Sequence, residues 1–342
     1  MTEISTLGEF GLIGHLTKNL PINHDSTVMG VGDDCAILDY SKKDVETLIT
    51  TDLLLEGIHF DLTYVPLRHL GYKAAVVNFS DVYAMNGQPR QITVSLGISK
   101  RFTVEHIEEL YDGIRLACEQ YGVDLVGGDT SASVTGLIIS ITCVGEGEKG
   151  KTVRRSGARD TDLLCVSGDL GAAYMGLQLL EREKEVGKDD PNFQPDFAGK
   201  EYLLERQLKP EARRDVIAEI AELDMHPTAM MDVSDGLSSE ILHICHNSNV
   251  GCRVYEDRIP IDYQTALQAE EFGMNLVTAA MNGGEDYELL FTVPLTEHEK
   301  VQHMKTARLI GRITKPSLGA CLVTRDDAEI PIQAQGWTAF PK

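Results

Sequence analysis

The sequence predicts an α/β or α+β protein of two domains. Three observations carry that expectation. The chain has 342 residues, enough for two separate cores. Short apolar runs alternate with longer helical stripes. Near the middle, 145–160 is rich in Gly and charge and the apolar pattern lapses, which marks a boundary. In chain order, Thr47–Thr51 (TLITT) and Ile92–Ile98 (ITVSLGI) read as buried strands. Between them 67–85 reads as a helix, with Ala74, Val77 and Met85 among its small and apolar positions. Val104–Tyr121 is a second helix, Leu125–Val126 opens another strand, and Leu137–Val144 (LIISITCV) closes the first half. The second half restarts with a strand at Leu163–Ser167, the turn Gly168-Asp169-Leu170-Gly171 and a helix from Ala172 to about Glu185. A polar, Pro- and Gly-bearing loop is expected over 186–199, helices near 211–223 and 237–247, and strands at Tyr287–Val293 and Arg308–Ile313. The domains are expected to span 1–148 and 149–342.

Composition narrows the function. At 42% hydrophobic and 25% charged residues the chain is ordinary globular protein. Its 31 Lys plus Arg against 53 Asp plus Glu give a net charge of −22, which argues against a nucleic-acid or anionic-membrane partner. An acidic protein that handles an anionic substrate needs positive charge in between, and a divalent metal is the usual source. The cysteines (Cys35, Cys118, Cys143, Cys165, Cys245, Cys252, Cys321) are scattered and contain no C-x-x-C, so reduced, mostly buried thiols in a cytoplasmic protein are expected. MTEISTLGEF has no basic n-region, and no apolar run is long enough to span a bilayer.

One stretch, GEGEKGKT at 145–152, fits the phosphate-loop pattern G-x-x-x-x-G-K-S/T. That pattern needs a strand leading in and a helix leading out, so that loop N–H groups and the helix N-terminus hold the phosphates. A strand does precede it, but VRRSGARDTD follows with no apolar helical stripe, and Glu146 and Glu148 would face the polyphosphate. A charged connector between two strands is the better reading.

The informative feature is where the carboxylates sit. Acidic motifs recur at the ends of apolar runs: GVGDDCAI, TTDLLLEGIHF, VVNFSDVYAM, LVGGDTSAS, MMDVSDGLSSEI and NGGEDYELLF. Each alone has a plain explanation. Asp33-Asp34 suits a turn, Gly127-Gly128-Asp129-Thr130 a hairpin turn or helix cap, and Ser234 a helix cap. Asp81 is harder to dismiss, because a carboxylate in an apolar helix is costly unless partnered; Asn78 shares its helix face. Together, Asp34, Asp52, Asp81, Asp129, Asp232 and Asp235 are short carboxylates beside Gly, Ser or Thr. Bringing so many anions together uncompensated would cost several kcal/mol even at an effective dielectric of about 20. Hard oxygen donors in this number suit Mg²⁺, which takes one or two carboxylates per ion plus phosphate and water. Gly168-Asp169-Leu170-Gly171, between a strand and a helix, is a natural place for N–H groups to meet an anion. Arg154 and Arg155 supply positive charge for a nucleotide, and His59 can reach a substrate phosphate, although a lone His is more often structural.

GVGDDCA, TTDLLLEGIHF, NFSDVYAMNGQP, GGDT, RSGA, DVSDGL and GGEDYELLF occur in an order and at a spacing that resembles bacterial thiamine-monophosphate kinase. That family belongs with aminoimidazole ribonucleotide synthetase, selenophosphate synthetase and an ATP-binding hydrogenase maturation factor. The resemblance covers residues 7 to 340. It implies an aminoimidazole ribonucleotide synthetase-like fold, with an N-terminal α/β domain that forms a β-barrel with its twin in a homodimer, and a C-terminal α/β domain. It implies Mg²⁺- and ATP-dependent phosphorylation of thiamine monophosphate to thiamine diphosphate, the last step in making that cofactor. Carried onto this sequence, it makes Asp34, Thr50, Thr51, Asp52, Asp81, Asp129, Asp232 and Asp235 metal ligands. Gly128, Asp129, Arg155 and Ser234 become nucleotide contacts, and His59, Glu285 and Trp337 contacts to thiamine monophosphate. Trp337, the single Trp, also suits a cationic thiazolium face, with a core role as the competing reading. No general base is assigned, because a phosphate nucleophile is largely deprotonated near neutral pH. Selenophosphate synthetase is the nearest rival, but residues 1–30 lack the cysteine its pattern requires. Another synthetase of the superfamily and a catalytically silent nucleotide- or metal-binding protein remain the alternatives.

Overall fold

Strand periodicity builds the first half of the chain. The structure, a computed structural model, describes residues 14–29, 37–41, 43–190 and 193–336. The chain divides into two units, one of residues 1–82 and 87–152, the other of 83–86 and 153–342. In the first unit, β1 (Thr27–Met29) and β2 (Ile37–Leu38) form a small antiparallel ladder. There follow β3 (Val45–Leu55), α1 (Leu67–Ala84), β4 (Gln88–Ile98), α2 (Val104–Tyr121), β5 (Asp124–Ala132) and β6 (Ile138–Glu148). The sheet order is β3-β6-β4-β5; β4 and β5 run parallel across the α2 crossover and the other pairs are antiparallel. Along β6, Ile139, Ile141 and Cys143 are buried and the residues between them are half-buried, as a sheet with one covered face requires.

Helix α2 buries Val104, Ile107, Leu110, Tyr111, Ile114, Ala117, Cys118 and Tyr121, a stripe at helical spacing, and ends on Gly122 in the left-handed conformation. It crosses α1 at van der Waals distance. A Cβ on Gly71 would lie 1.9 Å from the Leu110 carbonyl oxygen, and one on Gly113 would lie 1.9 Å from that of Arg68. Only hydrogen fits at either position. The crossing seats α1 on the sheet, with Tyr72 and Phe79 fully buried, each worth about 1.5–3 kcal/mol.

The second unit contains β7 (Leu163–Ser167), α3 (Ala172–Gly187), α4 (Glu201–Leu208), α5 (Arg214–Glu222), β8 (Ala229–Asp232), α6 (Leu237–Ser248) and β9 (Gly251–Tyr255). After these come α7 (Tyr263–Glu271), α8 (Leu276–Asn282), β10 (Leu289–Val293), α9 (His298–His303), β11 (Ala307–Thr314), β12 (Ala320–Val323) and β13 (Glu329–Pro331). Its sheet runs β13-β12-β9-β11-β7-β10-β8, antiparallel except for β9 with β12. The core joins Leu164, Val166, Met231, Val254, Leu290 and Ile310 of the sheet to Leu237, Ile241 and Ile244 of α6.

Two expectations need correction. GEGEKGKT is half strand: β6 continues to Glu148, with Gly145 paired to Leu48 and Glu148 to Val45, and the turn is confined to 149–151. No helix begins between Glu148 and Ala172, so the phosphate-loop geometry is absent from this stretch. GGDT is not a turn either. It lies inside β5, with Gly128 paired to Val94 and Asp129 to Ser95. The six described cysteines are free; five are buried and Cys321 is partly exposed. No helix of the described residues is long and apolar enough to cross a membrane.

Candidate active site

Alternation along β3 sorts the first group of candidate ligands. Thr50 and Asp52 share a face with the buried Leu48 and Leu54, while Ile49, Thr51 and Leu53 point the other way. On the covered face, Thr50 Oγ1 donates to Asp81 Oδ2 of α1 at 2.5 Å. Burial, and then the neighbouring Asp81 charge, push the Asp52 carboxyl up to about 6. Asn78, one turn earlier on α1, turns back to donate to the Ala74 carbonyl at 3.0 Å. Thr50, Asp52 and Asp81 therefore share one neighbourhood on the covered face.

Thr51 and Asp129 do not join them. Thr51 donates to the Ile141 carbonyl at 3.1 Å and accepts from Thr142 Oγ1 at 3.0 Å. Asp52 belongs to the row Asp52, Ile141, Val94, Gly128, whereas Asp129 belongs to Leu53, Ser140, Ser95, Asp129. The register thus puts Asp129 on the opposite face of the sheet from Asp52. Gly128 is required by packing, since a Cβ there would lie 1.9 Å from the Val94 carbonyl oxygen. His59 follows β3, and its Nδ1 accepts the Leu55 N–H at 3.0 Å. Asp34 lies outside the described residues, as does Trp337.

The second group surrounds the segment between β8 and α6. Asp232 ends β8 and is buried. Gly236, not Ser234, occupies the cap position of α6. The loop is held from inside the helix: Glu240 Oε1 accepts the N–H of Ser234 at 3.0 Å and of Asp235 at 2.8 Å. Glu240 is only 1% exposed, and burial pushes its carboxyl up to about 7. Against this loop lies GGEDYE (283–288). Glu285 N–H donates to the Ser234 carbonyl at 2.7 Å, Tyr287 N–H to that of Val233 at 2.9 Å, and Val233 N–H to that of Glu288 at 2.7 Å. Glu285 and Tyr287 both have positive φ, +58° and +51°. Such backbone costs about 1–3 kcal/mol per residue and persists where surrounding bonds enforce it, as these three do. Burial raises the Asp235 carboxyl, His243 and Arg155 draw it down, and Glu285 opposes them, so these side chains share one neighbourhood. Arg155 itself is exposed. Gly336, the residue before Trp337, runs so close that a Cβ would lie 2.1 Å from the Asp235 carbonyl oxygen.

Sequence reasoning missed the charges beneath this loop. The N-terminus of α3, expected to meet a ligand anion, already holds one: Asp286 accepts the N–H of Gly171 at 2.8 Å and of Ala173 at 3.3 Å. Burial nevertheless pushes the Asp286 carboxyl up to about 7, against the pull of Arg206 and those N–H groups. Glu288, fully buried, accepts from Ser167 Oγ at 2.5 Å, from Arg206 Nη1 at 2.8 Å and from Arg213. Arg206 also reaches the Asp169 carbonyl at 2.9 Å, and Tyr202 donates to the Asp169 carboxylate. The available signal was EDYE itself, whose second and third acids adjoin a strand and so must be buried and paired.

Among the described residues no three His, Cys, Asp or Glu side chains converge as a ready metal cage. Asp52 with Asp81 is instead a pair of hard carboxylates whose mutual repulsion a cation would relieve. That fits Mg²⁺, which takes few protein ligands and keeps water or phosphate for the rest.

Residues 32–146 match the AIR synthase related protein N-terminal domain and 162–320 the C-terminal domain, so fold and site define an AIR synthase-related two-domain protein. A thiamine-monophosphate kinase of Aquifex aeolicus is 38% identical over 85% of this chain and 88% of its own length. One of Bacillus subtilis is 32% identical over 98% and 100%. The chain belongs to the thiamine-monophosphate kinase family. A solved structure of AaThiL complexed with AMPPCP and TMP superposes with a TM-score of 0.76 at 34% identity, covering 99% of each chain. The hydrogenase maturation protein HypE in complex with ATP shares the fold at 19% identity, TM-score 0.72.

Proposed function

We propose that the protein transfers the γ-phosphoryl group of ATP to the phosphate of thiamine monophosphate, giving thiamine diphosphate and ADP. The observation that carries this reading is the likeness, over nearly the full length of both chains, to a protein complexed with AMPPCP and TMP. A phosphate oxygen of thiamine monophosphate attacks the γ-phosphorus in line, and the bond to the ADP oxygen breaks. Attacker and electrophile are both anionic, so neutralising and aligning charge is the main task. Asp52 and Asp81, with Asp34 from outside the described residues, would hold Mg²⁺ in the first unit, and Asp232 and Asp235 in the second. When bound, Mg²⁺ supplies positive charge to the phosphate oxygens. Thr50 fixes one oxygen of Asp81. Arg155 and Ser234 would meet the nucleotide, and His59, Glu285 and Trp337 the thiamine phosphate. No side chain is needed as a base.

Gly128, in the row of Asp52, would meet the nucleotide, whereas Asp129 and Thr51 belong to a second part of the same reading, the homodimer. Ile49 and Leu53 of the edge strand β3 are 71% and 53% exposed, an apolar face that a second copy would cover. Asp129 and Thr51 share that face and would complete their site with the second copy present. Ile49→Asp combined with Leu53→Asp should then give a monomer by sedimentation; a dimer that persists would remove this part. The free, buried thiols fit a reducing, cytoplasmic setting.

The deciding experiment measures ADP from Mg-ATP with thiamine monophosphate, thiamine, an aminoimidazole precursor and selenide in parallel. Turnover with thiamine monophosphate alone is expected. Turnover with another acceptor, or with none, overturns the reading.

A further inference from the structure

Helix α4 sends three polar side chains into the loops around the site. Tyr202 donates to Asp169, Arg206 to Glu288, and Gln207 Nε2 donates to Glu285 Oε2 at 2.9 Å. Gln207 is 5% exposed, and its own position is set by a close helix crossing. A Cβ on Gly176 of α3 would lie 2.2 Å from the Leu203 carbonyl oxygen and 3.0 Å from Gln207 Cβ. Glu285 is fixed at its other end too, with left-handed φ and its N–H on the Ser234 carbonyl. Both ends of the Glu285 side chain are therefore held by rigid elements.

The chemistry of the donor matters. A guanidinium at 207 would orient Glu285 and also cancel its charge; an amide orients the carboxylate and leaves the charge in place. The neighbouring Arg206 is aimed elsewhere, at Glu288. We infer that Gln207 is a positioning residue that holds the Glu285 carboxylate in the direction of the acceptor, where an anion suits the cationic ring system of thiamine monophosphate. The inference rests on the proposed function, in which Glu285 contacts that acceptor.

The test is steady-state kinetics on the full chain with Gln207→Leu, which keeps bulk and removes the donor, and Gln207→Asn, which keeps the amide and cannot reach. In both, the KM for thiamine monophosphate should rise about ten- to a hundredfold, the range for losing a hydrogen bond to a charged group, while the KM for ATP and kcat move less than twofold. In a Glu285→Ala background, Gln207→Leu should add almost nothing. An unchanged KM for the acceptor would overturn the inference, as would full additivity in that background. So would equal loss of affinity for both substrates accompanied by a matching fall in Tm, since that is a packing effect. If the unaltered protein shows no turnover with thiamine monophosphate, the proposed function fails first and the inference falls with it.

Discussion

In the first unit, the groups that move the Asp52 carboxyl are burial and the Asp81 charge, and both push it up. In the second, Asp286 and Glu288 are buried more deeply, yet Arg206, Arg213 and two N–H groups of α3 are aimed at them. The two clusters differ in what acts on their carboxyls. Asp286 and Glu288 have cations and N–H groups of the fold aimed at them, so they belong to the scaffold that holds Glu285 and the Asp235 loop. For Asp52, burial and the like charge of Asp81 act in the same direction, and an arriving cation would relieve both. A carboxylate's function here follows from what faces it, more than from how deeply it is buried.

The comparison breaks most sharply at Asp52. Asp52→Asn should lower acceptor-dependent ADP release by about a thousandfold, the scale of losing a charge-stabilising group in the transition state. It should leave the Tm of the metal-free protein unchanged or higher, because it removes repulsion toward Asp81. Near-normal turnover would sink the reading of this pair as a cation site. The reverse pattern belongs to Arg206. Arg206→Met strips Asp286 and Glu288 of a buried partner, and should cost about 3–5 kcal/mol of stability. Calorimetry should show a Tm lower by about 10 °C. A shift within a degree or two would mean the second cluster is not structural.

Much of this was legible in the sequence, and the reasons for the rest are specific. Helix α2 was readable end to end because its apolar stripe is long and its stop is Gly122. That Asp81 needs a donor was readable from an acid in an apolar helix; Thr50, rather than Asn78 of the same helix face, supplies one. The separation of Asp129 was not readable, because the face of a strand depends on register, and register is set by pairing partners distant in sequence. GGDT also looked like a turn, since Gly-Gly-Asp suits one; packing against the Val94 carbonyl explains Gly128 instead. Helix α4 was missed for its length, eight residues with charge on most of one side. With it went Gln207 and Arg206, whose roles come entirely from tertiary neighbours.

Glu240 tests the second unit at a smaller scale. It holds the Ser234–Asp235 segment by its backbone, so Glu240→Ala leaves two N–H groups without their acceptor. A loss of about 2 kcal/mol is expected by denaturant titration, with a weaker apparent affinity for Mg-ATP. Stability loss with unchanged nucleotide affinity would detach this loop from the nucleotide.

The smallest effect belongs to Glu271, a carboxylate that has cations and stays in water. It pairs with Lys200 and Arg182, each at 2.8 Å, on an exposed surface. The Lys200 hydrogen bond first, then that of Arg182, hold its carboxyl down at about 2. A carboxyl lowered by folding binds fewer protons folded than unfolded. Its contribution is therefore present above the ordinary glutamate range and lost as pH falls toward 2. Solvent screening keeps that contribution below about 1 kcal/mol. Glu271→Gln should differ from the unaltered protein by that little at pH 7, less in high salt, and not at all near pH 2, as read by Tm at each pH. If it instead rivals Arg206→Met, pairing rather than burial sets the cost of losing a partner, and the contrast between the two acidic clusters would have to be redrawn on that basis.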